Sequence, residues 1–314
     1  MHVSLSSARV DRARAERVCR VLALLLSLSV IPVSGHAQQP SAAPQAGAAA
    51  ASVITRDPQG RVSIRATRLT QPLRIDGTLD EPFYASVAGM SDFVQVEPML
   101  GAPATEKTEV WVAYDADNFY IAFRCWENEP GHRVSTEMRR DGQKIFGGDD
   151  IAYFYIDTFH DQRNGYSFSI NSLGAFNDGA VSNDQYLGDW NQVFRVSTGS
   201  FSQGWTVEVA LPFKSIRYGS DPSQIWGFNA LRTVRWRNEY SVLSPAPPWN
   251  GLSAARQGKF AATLTGIEVP AGLKNLEVKP YGISSLTTDL NGRPVRRNDP
   301  DADVGIDVRS EEHT

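Results

Sequence analysis

From Val62 to about Ile267 the chain reads as short strands separated by turn residues, and no segment keeps a helical period over three turns. In "TEVWVAYDADNFYIAFRCWE", Val110, Val112 and Tyr114 share one alternation, Asp115 to Asn118 make a turn, and Phe119, Ile121 and Phe123 resume, as in an antiparallel hairpin. In "GWTVEVALPF", Trp205, Val207 and Val209 share a face, Thr206 and Glu208 share the other, and Pro212 closes the strand. "IWGFNALRTVRW" places Trp226, Phe228, Ala230 and Arg232 on one side. Repeated strands with turns between them, over a body of about two hundred residues, predict an all-β fold, an antiparallel two-sheet β-sandwich.

What lies before that body is of another kind. Arginines between Arg9 and Arg20, the apolar run "VLALLLSLSVIPV" and the small-residue ending Gly35-His36-Ala37 have the layout of a secretory signal peptide, residues 1–37. The apolar run, broken by Ser27, Ser29 and Pro32, falls short of the ~20 residues of a spanning helix. Gln38 to Ser52 is low-complexity with few large apolar groups, so residues 38–61 read as a linker and 62–268 as the folded domain. Removing the leader, which carries +3, takes the net charge from −4 to −7, and nothing in that balance suggests nucleic acid. Of the two cysteines Cys19 lies in the leader, so the exported chain keeps Cys125 alone and must be held by its core rather than by an internal disulfide.

Catalytic signatures are missing. Only His132 and His160 stand between the leader and the chain's last six residues, no histidine pair has zinc spacing, and there is no nucleophile elbow, phosphate loop or dinucleotide turn. Glycoside hydrolysis needs two carboxyl groups at a set separation; Glu208, Asp149 and Asp150 are the candidates, each read more simply as a solvated strand or turn residue. Calcium is the other expectation: Asp157, Asp161 and Asn164 gather hard oxygen ligands on one connection, and the alternative is that they only cap a turn. The strand between the acids, Ile151 to Ile156, is apolar enough to be central, with Asp149, Asp150 and Asp157 marking where the chain meets water.

Seven tryptophans offer flat faces on which a sugar ring could stack. Trp111, Trp205 and Trp226 follow strand alternation and read as core, whereas Trp190 in "LGDWNQ" and Trp249 in "APPWNGLS", the latter beside Asn250, sit in turn-rich sequence where either a binding platform or a ring folded under its loop is possible.

In order and spacing, "PLRIDGTLDEPFYASV", "TEVWVAYDADNFYIAFRCWENEP", "GDDIAYFYID", "GWTVEVALPF" and "WGFNALR" resemble the family 9 carbohydrate-binding modules, over roughly Leu69 to Ile267. "DTFHDQRNGYSFSINSLGAFNDG" and "LKNLEVKPY" further resemble bacterial outer-membrane proteins in which such a module precedes a β-barrel of unknown function. The resemblance implies a β-sandwich, export to the outer membrane or periplasm of a Gram-negative bacterium, an oligo- or polysaccharide partner, and a barrel whose first strands are residues 269–308. In modules that bind sugar ends, two tryptophans sandwich the sugar, helped by a strand glutamate. Trp249 matches the later tryptophan; the earlier one falls near Phe146 and Gly147, with Phe146 as its stacking replacement, and Tyr153 stands in the glutamate's place. After Ile267 the alternation is weak, with Val304, Ile306 and Val308 on one face, as in a barrel strand or any edge hairpin. The ending "RSEEHT", Arg309 to Thr314, is what the start of a common sequencing adapter would encode, and we expect the gene to continue past Val308.

The expected function is therefore non-catalytic glycan binding at the cell envelope by an aromatic platform. The alternatives are a structural or gating domain of an outer-membrane barrel with a vestigial sugar site and, with no residue in its favour, a glycoside hydrolase.

Overall fold

The computed structural model describes residues 53–58, 60–247, 253, 255–270, 276–292 and 296–310. The signal-peptide reading and the expected sugar contacts Trp249 and Asn250 lie outside the described residues.

Two sheets carry the body. The larger has ten strands: β1 (Ile54–Arg56), β2 (Val62–Arg65), β15 (Ala262–Glu268), β13 (Ser223–Val234), β7 (Ile151–Asp157), β8 (Asn164–Asn171), β9 (Phe176–Ser182) and β10 (Gln185–Leu187) follow in that spatial order, with β14 (Glu239–Val242) branching from β13 to β4 (Val94–Glu97). The smaller has five, in the order β11 (Arg195–Phe201), β12 (Gly204–Pro212), β6 (Asn118–Trp126), β5 (Thr108–Tyr114) and β3 (Thr67–Arg68). Pairing is antiparallel except where β2 meets β15 and β3 meets β5. The expected hairpin is β5–β6, with Val112 opposite Ile121 and Tyr114 opposite Phe119.

The core follows from strand alternation. Val110, Val112, Phe119, Ile121, Phe123, Trp205, Val207 and Val209 of the smaller sheet share one buried cluster with Phe154, Ile156, Phe168, Ile170, Trp226 and Phe228 of the larger. Phe154 and Phe168 stack with centroids 4.5 Å apart, and Phe119 meets Trp226 edge-on at 5.2 Å. Burying each such side chain stabilises the fold by roughly 2–3 kcal/mol, so the core suffices without a cross-link, and Cys125 is buried as a free thiol. Arg232 continues the inward alternation of β13. Its guanidinium lies 4.7 Å from the Trp205 ring and reaches Glu127 at 3.3 Å, which Arg133 holds from the other side at 2.6 Å. A buried cation is tolerable only with a partner of this kind.

Strand β7 is buried along its whole length and lies between β13 and β8, as its apolar sequence predicts. The flanking acids do not meet water: Asp149 and Asp157 are 0% exposed and Asp150 1%. They hold backbone instead. Asp149 accepts from the amides of Thr136 and Glu137 at 2.9 and 3.0 Å and from Asn171 Nδ2 at 2.8 Å. Asp150 accepts from the amides of Val134 and Arg235, and Asp157 from those of Phe159, Asp161 and Gln162. A carboxylate that collects N–H donors can be buried because those donors replace its water.

Glu208 corrects the same expectation. It faces outward on β12 yet is 0% exposed, because residues 69–87, including helix α1 (Pro82–Ser86), cover that face with Leu73 and Tyr84 packed against Trp111, Tyr120 and Ala122. Glu208 accepts the Tyr84 hydroxyl at 2.8 Å and the amides of Gly77 and Asp76 at 2.8 and 3.1 Å.

The outer face of the larger sheet is covered only in part. Helix α2 (Lys144–Gly148) buries Ile145 there, and Ala255 joins the same cluster with Tyr153, Tyr155 and Leu231. Strands β16 (Leu276–Asp289) and β17 (Arg296–Ser310) form a separate hairpin and pair only with each other among the described residues.

Candidate functional site

Three strands supply the floor of a cavity on the outer face of the larger sheet. Register aligns Tyr153 of β7 with Ser169 of β8 and Ser169 with Asn177 of β9; the next outward row is Tyr155, Ser167 and Gly179. Because strand side chains alternate, "YSFSI" sends Phe168 and Ile170 into the core and leaves the two serines outside. Gly179 leaves room for what lies over it: a Cβ there would stand 2.3 Å from the ring of Tyr186, which folds back from β10 and donates its hydroxyl to the Asp178 carbonyl at 3.0 Å.

Phe146 on α2 and Arg256 supply the remaining walls. Phe146 meets the Tyr153 ring edge-on at 6.0 Å. Its backbone is fixed by Arg235, which donates to the Phe146 carbonyl at 2.6 Å and to the Asp149 carbonyl at 3.1 Å. The cavity holds about 110 Å³ and opens to solvent.

The polar atoms of this cavity are prepared but unused. Tyr153 is 2% exposed, and its hydroxyl, the Asn177 Oδ1 and the Arg256 Nε are buried and make no well-formed hydrogen bond among the described residues, with only the Ser167 side chain near the Tyr153 hydroxyl. Each such group costs roughly 1–3 kcal/mol if it stays unpaired, so three in one small cavity point to a polar occupant. Burial pushes the Tyr153 phenol well above its ordinary value, so it remains an O–H donor.

A larger, open cleft of about 540 Å³ lies by Val53, Arg65, Arg68, Tyr114 and Glu268. Arg68 and Glu268 close on each other there as an ion pair, and none of its described lining residues carries a buried unpaired polar atom. Chemistry therefore favours the smaller cavity over the larger.

Of the expected sugar contacts, Phe146 and Tyr153 come together here. Trp190 packs elsewhere, its ring 4.6 Å from Tyr166 and 5.9 Å from Phe168 against the main core. Trp111, Trp205 and Trp226 are core residues as expected, at 3%, 0% and 0% exposure. Asn177, Tyr186 and Arg256 had no local signal; only the polar side of the β8 alternation was readable.

The expected metal residues share the β7–β8 loop. Asp161 accepts from the amides of Arg163 and Asn164, both at 2.8 Å, and from Asn164 Nδ2 at 2.6 Å, while Asn164 Oδ1 accepts from Ser182. With the Asp157 contacts described above, the carboxylates of Asp157 and Asp161 face donors of the loop itself, and Asn164 faces β9. Among the described residues no group of three or more His, Cys, Asp or Glu side chains converges.

No family model and no curated protein matches the chain. Solved structures do. A candidate carbohydrate-binding protein from Bacteroides uniformis ATCC 8492 superposes with a TM-score of 0.50 at 12% identity, over 65% of this chain and 98% of that one. A family 9 carbohydrate-binding module from Caldicellulosiruptor kristjanssonii superposes with a TM-score of 0.46 over 67% of this chain and 96% of the module, at 11% identity in its cellotriose complex and 10% in its glucose complex. At 12% identity the likeness to the Bacteroides uniformis protein is one of fold, and it agrees with the two-sheet sandwich described above.

Proposed function

We propose that this chain is a non-catalytic glycan-binding domain of the bacterial cell envelope and that the outer-face cavity is its binding site. The observation that carries the reading is the cavity itself, where the Phe146 and Tyr186 rings flank the unpaired polar atoms of Tyr153, Asn177 and Arg256. Sugars present flat C–H faces to rings and a rim of hydroxyls to polar groups, and this lining offers both. Its described residues include no carboxylic acid, so the lining supplies neither member of the carboxyl pair that hydrolysis requires. Trp249 and Asn250 precede Arg256 by a few residues and are our candidates for completing the platform.

Titration calorimetry with soluble cello-, xylo- and malto-oligosaccharides and their uronic-acid-bearing counterparts tests this. Saturable heat is expected, with the affinity reduced about tenfold, ~1.4 kcal/mol, by Phe146→Ala. Repeating the series with calcium tests the Asp157, Asp161 and Asn164 expectation. No heat from folded protein with any sugar would contradict the reading.

A second reading, a structural domain carried by an outer-membrane barrel, is favoured by the terminal hairpin. Its register sets Val278, Pro280, Gly282 and Leu286 opposite Val308, Ile306, Val304 and Pro300, an uncharged set, while the alternate positions pair Lys279 with Asp307 and Ile283 with Asp303. Leu286, Val304 and Ile306 are 73%, 83% and 65% exposed. One uncharged and one charged side, on strands of 14 and 15 residues, is the dyad pattern of a barrel wall, which needs roughly 9–11 residues to cross.

A further inference from the structure

The cation in the cavity narrows the ligand. Five other arginines of this region are held by acids: Arg133 and Arg232 hold Glu127, Arg139 holds Glu137, Arg140 holds Asp178 and Arg237 holds Glu106. Arg256 is partly buried and has no acidic partner among the described residues. Asp178 neighbours Asn177 in sequence but alternates to the other side of β9, where Arg140 donates to it at 2.7 and 3.0 Å. A guanidinium whose Nε is withdrawn from water without a partner gains most from an incoming anion, and its planar fork suits a carboxylate. The space is a fraction of the roughly 300–1,000 Å³ of an extended ligand pocket, so it suits a single sugar residue rather than a chain.

We propose that the cavity selects a carboxylate-bearing sugar, a uronic acid residue. Arg256 takes the carboxylate, the Tyr153 hydroxyl donates to a sugar oxygen, and Asn177 Oδ1 accepts from a sugar hydroxyl. This rests on the glycan-binding reading and specifies its substrate class.

The test compares matched ligands on the full chain: a xylo-oligosaccharide carrying one glucuronic acid branch, the same oligosaccharide without it, and a sulfated sugar. The branched ligand is expected to bind at least about tenfold tighter at low salt, with the advantage shrinking as ionic strength rises. Arg256→Gln should abolish that advantage, so that the variant binds the branched and unbranched ligands equally, and Arg256→Lys should restore part of it. Equal affinity of branched and unbranched ligands in the wild-type protein would overturn the proposal while leaving glycan binding intact. Tighter binding of the sulfated sugar would overturn the carboxylate assignment. Absence of all binding would overturn both readings. The wild-type comparison decides even if a variant fails to fold.

Discussion

Glu208 holds a carboxylate out of water on the outer face of a sheet, and three donors from a distant segment make that possible. Burial, the largest influence on it, raises its pKa above the ordinary carboxylate value. The folded protein then binds this proton more readily than the unfolded chain does. Its contribution to stability is greatest below the unfolded value near 4.5 and declines as pH rises through the raised folded value. Urea midpoints measured against pH should therefore show a loss across that window in the wild-type protein, and Glu208→Gln should flatten it; equal slopes would contradict the account. Neither this role nor those of Asp149, Asp150 and Asp157 could be read locally. The Gly77 amide that Glu208 accepts from lies 131 residues away in sequence, whereas composition shows only that acids are usually exposed. Arg232 was legible by contrast, because alternation alone placed it with Trp226 and Phe228 on the core side.

At the level of elements, whatever is local and periodic was readable. The β5–β6 hairpin, the inward face of β12 and the centrality of β7 follow from two-residue alternation and turn residues. The parallel contacts of β2 with β15 and β3 with β5 join distant parts of the chain and leave no local trace, and β1 adds a strand ahead of Val62. The site divides in the same way. Tyr153 and Phe146 were readable through a family resemblance, and Ser167 and Ser169 sit on the polar side of a legible strand, but Arg256 and Tyr186 reach the cavity only through the fold. Gly179 shows the consequence. In Gly179→Ala the new methyl would displace the Tyr186 ring, the far end of a movable side chain. We expect sugar affinity to fall about fivefold while the melting temperature moves by only ~2 °C. Unchanged affinity in calorimetry would remove Tyr186 from the site.

On the scale of the whole molecule, the two sheets meet through a dry aromatic core and spend their outer faces differently. The smaller sheet is covered by its own chain, tied down at Glu208. The larger is covered by α2 and the segment around Ala255 only as far as a cavity with unpaired polar groups. A fold shared at 12% identity with a Bacteroides uniformis protein supplies the scaffold, and the site must be argued from its own residues, because a fold does not carry a function without them. The most direct test is a crystal structure of the chain with the tightest-binding oligosaccharide of the titration series. The account predicts a sugar ring seated against Phe146 and Tyr186, with its oxygens in hydrogen-bond reach of Tyr153 Oη, Asn177 Oδ1 and Arg256. A sugar found instead in the cleft of Arg68 and Glu268, with the outer-face cavity empty, would contradict it.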